Sequence, residues 1–202
     1  MPSAAAIRVA FAIDQFVISA SSGPNGAIAP TTATVSYGGS QTFTFTPSLG
    51  YHLDSLLVDG ASQPLAGSYT FTNVTTTHTI RVAFAIDQFT ISASSGPNGT
   101  ISPNGSVTAN YGSSPSFTFT PTTGYHVDSI LVDGVSQPVA GSYTFTSVTA
   151  NHTIRVAFAI DQFIISASSG PNGTISPSGA VGVSFGASQT FTFISAIGHH
   201  ID

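Results

Sequence analysis

The feature that most constrains this chain is a long internal repeat. The string IRVAFAIDQF occurs at residues 7–16, 80–89 and 154–163, and SASSGPNG occurs at residues 19–26, 92–99 and 166–173. The copies are therefore 73 or 74 residues apart. Solenoid units run from about 20 to 50 residues, whereas small independent domains begin near the length seen here. The repeat predicts separate small domains joined in tandem, like beads on a string.

Aligning the copies predicts where each one begins and ends. Residues 14–86 and 87–160 form two complete copies, which we call repeat 1 and repeat 2. Residues 1–13 hold the closing strand of a truncated preceding copy, and residues 161–202 hold the first part of a third, called partial repeat 3. We expect either a fragment of a longer array or a subunit whose unfinished ends are completed by neighbouring molecules. The first residues lack a basic region and a sustained apolar stretch, so no secretory signal is present in this sequence.

Alternating apolar and hydroxyl side chains predict β-strands throughout the repeats. In repeat 2, for example, Phe117 and Phe119 alternate with Thr118 and Thr120. Three segments are interpreted as tight hairpin turns: Gly96-Pro97-Asn98-Gly99, Pro103-Asn104-Gly105 and Val132-Asp133-Gly134. No segment has the 3.6-residue period of a capped helix. The predicted fold class is all-β, with tandem small antiparallel β-sandwich or β-meander domains of roughly six or seven strands each.

The apolar positions change parity where one copy meets the next. They are even-numbered up to Ile160 and odd-numbered from Phe163, and the same inversion separates Ile86 from Phe89. A bend or bulge at the intervening Asp-Gln pair would produce this inversion. The connector between domains is then only about four residues long, which restricts motion between them, so we expect a semi-rigid array.

The composition excludes several classes of function. Charged residues make up 5% of the chain, and the three basic residues are arginines scattered along a chain of net charge −5, which argues against a nucleic-acid partner. No apolar run approaches the roughly 18 residues of a spanning helix, so membrane insertion is not expected. Cysteine is absent, which excludes disulfides and thiolate metal sites. Lysine is absent too, so lysine-based isopeptide cross-links cannot form within the chain.

The order of short motifs in repeat 2 resembles a known family. These motifs are FTIS at 89–92, GTISP at 99–103, YG at 111–112, FTFTP at 117–121, GYHVD at 124–128, VDG at 132–134, YTFT at 143–146 and NHTIRVAF at 151–158. Together they resemble the divergent internalin B-repeat family, also called the bacterial repeat domain, over essentially the whole chain. The resemblance implies tandem modules of secreted or surface-anchored bacterial proteins, hence an extracellular or cell-surface location. It brings no catalytic residues, and this chain is poorer in charge than typical members.

Histidine and aspartate recur together in every copy. His52 with Asp54, His126 with Asp128 and His200 with Asp202 are each two residues apart, so each pair shares a strand face, and His78 and His152 precede the last strand of their copies. Two such pairs could bind zinc or copper, or they could make hydrogen bonds at strand ends. Since no glutamate or cysteine ligand is present, we favour hydrogen bonding and predict no metal site.

The remaining polar motifs predict neither a cofactor nor an active site. Asp59-Gly60 and Asp133-Gly134 supply one aspartate per loop, whereas calcium needs six to eight oxygen ligands, so we interpret them as turns. Serines are frequent, but no G-x-S-x-G motif is present and the carboxylates are isolated. We therefore predict a non-enzymatic chain with no catalytic, cofactor-binding or metal-ligating residues.

Two kinds of partner are left open. A glycan or surface protein could contact Tyr51 and Tyr125, the aromatic side chains least needed for a core. Self-association could occur by strand addition, with residues 1–13 donated to partial repeat 3 of a neighbour. Partial repeat 3 alone would have three or four strands and would expose Phe163, Ile165, Phe191 and Phe193.

Further surface features have simple explanations. Outward threonines, namely Thr42, Thr44, Thr46, Thr118 and Thr120, resemble ice-binding ladders, but solvent-facing β-propensity accounts for them equally well. Five asparagines stand in N-x-S/T sequons: Asn73, Asn98, Asn104, Asn151 and Asn172. The leading hypothesis is an extracellular structural module that forms a stalk or fibre, and the alternative is an adhesive module that binds glycans or host surface protein.

Overall fold

The structure, a computed structural model, describes residues 6–201 and is all-β over that range. The described residues cluster into two compact units, one ending at Gln88 and the other beginning at Phe89. Each unit has its own hydrophobic core. The predicted all-β class is confirmed, while the predicted boundary between residues 160 and 161 stays a prediction.

Repeat 1 contains eight strands, more than the six or seven expected. They are β1 Gln15–Ser22, β2 Gly26–Ala29, β3 Thr32–Ser36, β4 Gly39–Pro47, β5 Tyr51–Val58, β6 Ala61–Ser62, β7 Ser68–Val74 and β8 His78–Ile86. They form one sheet of order β3-β1-β8-β5-β6 and a second of order β2-β4-β7. The core contains residues from both sheets: Ile18, Ile28, Val35, Phe43, Phe45, Leu56, Val58, Phe71, Val74, Ile80 and Val82. Each repeat is therefore a small two-sheet sandwich.

Repeat 2 follows the same plan. Its strands are β9 Gln88–Ser95, β10 Gly99–Ser102, β11 Gly105–Asn110, β12 Ser116–Pro121, β13 Tyr125–Val132, β14 Val135–Gln137, β15 Ser142–Thr144 and β16 His152–Ile160. The sheets are β11-β9-β16-β13-β14 and β10-β12-β15. The alternation seen in the sequence explains the burial, because Phe117 and Phe119 lie in the core while Thr118 and Thr120 are exposed.

The closing strand of each repeat lies in the middle of the larger sheet. In repeat 1, β8 pairs in parallel with β1, where Ile80 is opposite Ala20, and antiparallel with β5, where Val82 is opposite Leu56. Both Ile80 and Val82 are buried. This parallel pairing departs from a purely antiparallel meander, and it brings the first and last strands of a repeat side by side.

One of the three predicted hairpins is confirmed. Val132 and Val135 pair across the Asp133-Gly134 turn, whose φ angles are 50° and 78°. The other two segments are turns with positive φ, 67° at Asn98 and 82° at Gly105, but the hairpin interpretation is wrong. Strand β10 belongs to a different sheet from β9 and β11, so these turns carry the chain across the sandwich.

Partial repeat 3 forms four strands in two pairs. They are β17 Gln162–Ala167, β18 Gly173–Ser176, β19 Gly179–Ser184 and β20 Thr192–Ser195, with β17 paired to β19 and β18 paired to β20. Phe163, Ile165 and Phe193 are exposed as expected, whereas Phe191 is half-buried.

The segment expected to be a closing strand, residues 1–13, is not in a strand where the structure describes it. Residues 6–14 have no strand pairing, and Ile7 and Phe11 are 92% and 95% exposed. Residues 1–5 lie outside the described residues. The same sequence in β8 lies between β1 and β5 of its own repeat.

Within residues 6–201 the structure contains no helix long and apolar enough to cross a membrane.

Candidate functional site at the joint between repeats

A single residue connects repeat 2 to partial repeat 3. Strand β16 ends at Ile160 and β17 begins at Gln162, so only Asp161 stands between them. The buried residues of β16, Ile154 and Val156, are even-numbered, whereas the buried residue of β17, Ala167, is odd-numbered. The predicted inversion of strand faces is therefore confirmed, and it takes place over one residue.

Asp161 is held from both sides of this joint. Its backbone N–H donates to the carbonyl oxygen of Gly124 at 2.8 Å, and its carbonyl accepts from the N–H of Phe185 at 2.9 Å. Its carboxylate accepts a hydrogen bond from His126, with 2.8 Å between Oδ1 and Nδ1. Two of these partners belong to repeat 2 and one to partial repeat 3, so the backbone of both copies is fixed at the joint.

The ring of Phe185 packs on Gly124. Gly124 has a φ of +81°, and a Cβ added there would overlap the Phe185 ring. The glycine therefore meets two requirements at once, a left-handed backbone and close approach of an aromatic ring. Phe185 occupies the position of Tyr37 and Tyr111 in the other copies. Sequence reasoning did not single out this contact, although the recurring glycine and recurring aromatic residue were visible signals.

Repeat 1 contains the same joint contacts within its own unit. The N–H of Asp87 donates to the carbonyl of Gly50 at 2.9 Å, and His52 Nδ1 lies 2.7 Å from Asp87 Oδ1. At the other end of the repeat, the N–H of Tyr37 donates to the carbonyl of Asp14 at 2.8 Å. The contacts that Asp161 makes with Gly124 and His126 are thus repeated by Asp87 with Gly50 and His52.

The sequence placed each histidine on the same strand face as the aspartate two residues later, and in the complete repeats the hydrogen-bond partner of that histidine is a more distant aspartate. His52 contacts Asp87 rather than Asp54, and His126 contacts Asp161 rather than Asp128. Both sequence-neighbouring aspartates lie where the strand register shifts, between Leu53 and Ser55 in one repeat and between Val127 and Ser129 in the other. In the third pair, Asp202 lies outside the described residues.

The second histidine of each repeat fixes the Asp-Gly turn to the closing strand. Asp59 Oδ2 lies 2.6 Å from His78 Nδ1, and Asp59 Oδ1 accepts from the N–H of Thr79 at 2.7 Å. Asp133, His152 and Thr153 repeat these contacts with the same distances. Both loops with one aspartate are therefore turns whose carboxylate is occupied by hydrogen bonds.

These hydrogen bonds change the acidity of the aspartates. Burial raises the pKa of Asp59, but the hydrogen bonds from His78 and Thr79 and the charge of His78 outweigh it, so the pKa lies below its usual value. The pKa of Asp133 is lowered by the same balance, with His152 and Thr153 as donors. In the described part of the chain, no three His, Cys, Asp or Glu side chains are grouped so as to hold a metal ion.

The aromatic residues considered for glycan stacking are not open platforms. Tyr51 and Tyr125 are half-buried, and each is opposite the last residue of a closing strand, Ile86 or Ile160. The threonine ladders are exposed, and in repeat 1 the hydroxyls of Thr42 and Thr70 are hydrogen-bonded across two strands at 2.9 Å.

Comparison with known proteins agrees with the geometry of repeat 2. No curated protein and no solved structure matches the chain significantly. Residues 89–162 match the family model of the divergent InlB B-repeat domain, and these limits lie one or two residues after Asp161 and Asp87. Repeat 2 of this chain is therefore similar to the divergent InlB B-repeat domain, a family of bacterial surface repeat modules that is generally non-enzymatic.

Proposed function

We propose that this chain is a non-catalytic structural segment of a bacterial surface stalk or fibre, in which each repeat is coupled stiffly to the next. The observation that carries this proposal is the joint at Asp161. A single residue between two strands leaves few rotatable bonds, and both neighbouring copies hold it by hydrogen bonds.

The use of polar side chains supports a structural role. Four histidine–aspartate contacts, of 2.6 to 2.8 Å, tie strands to turns or to joints. An active site would instead need such groups to converge on a substrate cavity. A surface location agrees with the family and with a chain whose polarity comes from hydroxyl and amide groups rather than charges.

The adhesive alternative has less support. Sugar recognition by stacking needs an exposed ring, and Tyr51 and Tyr125 are half-buried at strand ends. A glycan array probed with the whole chain would favour adhesion if it gave binding that Tyr125→Ala abolished.

Spin labels can test the stiffness of the joint, because the chain has no cysteine of its own. Thr120 and Thr190 are exposed positions in repeat 2 and partial repeat 3, so Thr120→Cys and Thr190→Cys place one label on each side of Asp161. We expect a narrow distance distribution from pulsed electron resonance of the full chain. A Gly-Ser-Gly-Ser insertion between Asp161 and Gln162 should broaden it several-fold.

The matched control is the same insertion between Val139 and Ala140, in a loop of repeat 2 that lies outside the joint. It should leave the distribution narrow. A broad distribution in the chain without any insertion would contradict the proposal.

A further inference from the structure

Four segments of the chain share the tripeptide Pro-Asn-Gly. Their asparagines are Asn25, Asn98, Asn104 and Asn172. An asparagine followed by glycine can lose its side-chain amide to attack by the next backbone nitrogen, which a glycine leaves unhindered by any side chain. The tripeptide alone therefore gives the four asparagines similar reactivity, and a difference between them has to come from the fold.

The structure holds three of these asparagines in the same fixed way. Asn25, Asn98 and Asn172 have left-handed backbones, with φ of 66°, 67° and 71°. The carbonyl oxygen of each accepts a backbone hydrogen bond of 2.9 to 3.0 Å from a residue more than 20 positions farther along the chain. Ring closure would turn the main chain at that carbonyl, so these hydrogen bonds oppose it.

The glycines that follow these three asparagines are partly buried. A Cβ added at Gly26 would overlap the ring of Phe84, and a Cβ added at Gly99 would overlap the ring of Phe158. One added at Gly173 would lie 3.2 Å from a backbone carbonyl oxygen. The surroundings therefore restrict both the movement of these glycines and the access of water to them.

Asn104 differs from the other three in its backbone and in its surroundings. Its φ is not positive, and the glycine after it, Gly105, is exposed, with nothing within 4 Å of an added Cβ. The N–H of Gly105 donates to Oδ1 of Asn104 at 2.9 Å. Because Oδ1 is bonded to Cγ, this contact holds the backbone nitrogen next to the side-chain carbon, as an intramolecular attack requires.

We propose that Asn104 is a site of spontaneous modification, at which the folded chain converts the amide to aspartate and isoaspartate through a cyclic imide formed with Gly105. The other three asparagines lag behind it because the fold holds them away from the reactive arrangement. Water is the only co-reactant. The inference goes beyond the stalk role and does not depend on it.

The reaction needs only atoms that are already in place. The nitrogen of Gly105 gives its proton to water or hydroxide and attacks Cγ of Asn104, which closes a five-membered imide. The bond from Cγ to Nδ2 breaks, and Nδ2 leaves as ammonia after taking up a proton. Water then opens the imide at either carbonyl. Breaking the new bond to Cγ gives aspartate, and breaking the bond to the main-chain carbonyl carbon gives isoaspartate.

The modification would change repeat 2 at the edge of its larger sheet. Either product adds a negative charge to a chain of net charge −5. Isoaspartate also lengthens the main chain by one carbon immediately before β11, which begins at Gly105 and is the outermost strand of the sheet β11-β9-β16-β13-β14. Repeat 2 would therefore accumulate a charge and an altered strand end with age.

Ageing the full chain under folding conditions at mildly alkaline pH tests the inference. Trypsin cleaves after arginine, so one peptide, residues 82–155, contains both Asn98 and Asn104, and its fragment masses report the two sites separately. We expect Asn104 to convert about tenfold or more faster than Asn98. In heavy-oxygen water, each conversion should incorporate one oxygen from the solvent, and both aspartate and isoaspartate should be found.

Two controls separate the fold from the local sequence. In concentrated urea all four Pro-Asn-Gly segments lose their surroundings, so their rates should become similar. In the folded chain, Asn104→Ser should remove most of the early ammonia release, and it copies Ser178-Gly179 of partial repeat 3. Asn98→Gly is the matched variant, because glycine accepts the left-handed backbone of Asn98, and it should leave the early release unchanged.

Three results would overturn the inference: an Asn104 that stays intact in the folded chain, equal or faster conversion at Asn98, or a preference for Asn104 that persists unchanged in urea. The last result would assign the reactivity to the local sequence. None of them alters the spin-label distances across Asp161, which test the stalk separately.

Discussion

His52 and Asp87 are 35 residues apart in the chain, yet Nδ1 of the histidine lies 2.7 Å from Oδ1 of the aspartate. His126 and Asp161 repeat the contact at 2.8 Å. In each case the carboxylate belongs to the residue that follows the closing strand. The histidine of one repeat therefore holds the first residue beyond it, which makes the joint a part of the folded domain.

A double-mutant cycle measures this contact. The side chains of His126 and Asp161 are 54% and 34% exposed, so water screens the pair and the coupling free energy between His126→Ala and Asp161→Asn should be below about 1 kcal/mol. Urea unfolding of the full chain gives the four free energies. His126→Ala combined with Asp128→Asn is the control, because Asp128 lies closer in sequence but does not contact the ring. Equal coupling to both aspartates would contradict the assigned contact.

Acid should weaken repeat 2 through Asp133. Its pKa in the folded chain lies below the usual value of about 3.9, so the unfolded chain binds a proton first as the pH falls. The stabilisation is complete above that usual value and is lost as the pH falls through the folded pKa. Asp133→Asn lacks the titrating carboxylate, and asparagine tolerates the φ of 50° at this position. Its melting temperature should lie below that of the parent at pH 5, and the difference should shrink towards pH 2.

Thermal unfolding followed by circular dichroism from pH 5 to pH 2 checks this prediction. A difference that grows on acidification would have the wrong sign and would refute the assigned role of the carboxylate.

Gly124 should be far less tolerant of alanine than Gly134. Both have left-handed backbones, with φ of +81° and +78°, so both substitutions cost about 1–2 kcal/mol of backbone strain. Only at Gly124 would the added methyl group also overlap the ring of Phe185, since nothing lies within 4 Å of a Cβ at Gly134. Gly124→Ala should therefore broaden the spin-label distribution across the joint, while Gly134→Ala should not.

Removing the ring provides the rescue experiment for this joint. Phe185→Ala alone should loosen the joint moderately, and it should abolish the additional effect of Gly124→Ala. If Gly124→Ala and Gly134→Ala behave alike, the packing of Phe185 on Gly124 is of no importance to the joint.

The cores of the two complete repeats should unfold separately. Phe117 is fully buried in repeat 2, and Phe117→Ala should cost about 3–5 kcal/mol. Because the core of repeat 1 contains none of the same residues, denaturant unfolding should split into two transitions, with the earlier one from repeat 2. The exposed Phe193 is the control, and Phe193→Ala should cost less than about 0.5 kcal/mol. A single transition shifted as a whole would mean that the repeats fold as one unit.

The sequence predicted the positions of the strands better than it predicted which strands lie side by side in the sheets. The alternation of apolar and polar residues placed Phe117 and Phe119 in the core, and the parity change between Ile160 and Phe163 located the joint. Both features could be predicted because they depend only on residues close together in the chain. The parallel pairing of the first and last strands could not be predicted in this way. Alternation states which face of a strand is buried, but it does not state which strand lies beside it.

At the candidate site too, the local features were predicted and the contacts between distant residues were not. Turn chemistry identified Asp133-Gly134 because a two-residue hairpin needs positive φ at both positions. Strand-face reasoning placed His52 on the same face as Asp54, but it could not identify Asp87, which is 35 residues away, as the hydrogen-bond partner of His52. The rings of Phe84 and Phe158 pack on Gly26 and Gly99, which are more than 50 residues away in the chain, so local patterns give no indication of these contacts.

The parallel neighbours β1 and β8 determine how a repeat responds to tension. When the chain is pulled from both ends, the start of β1 and the end of β8 move in opposite directions along two adjacent strands. The load is a shear force that all five paired positions between Ile18 and Ser22 share at once. The hydrogen bonds between β1 and β8 are therefore not broken one pair after another. A repeat whose first and last strands pair in parallel therefore resists extension with all the hydrogen bonds between those two strands together.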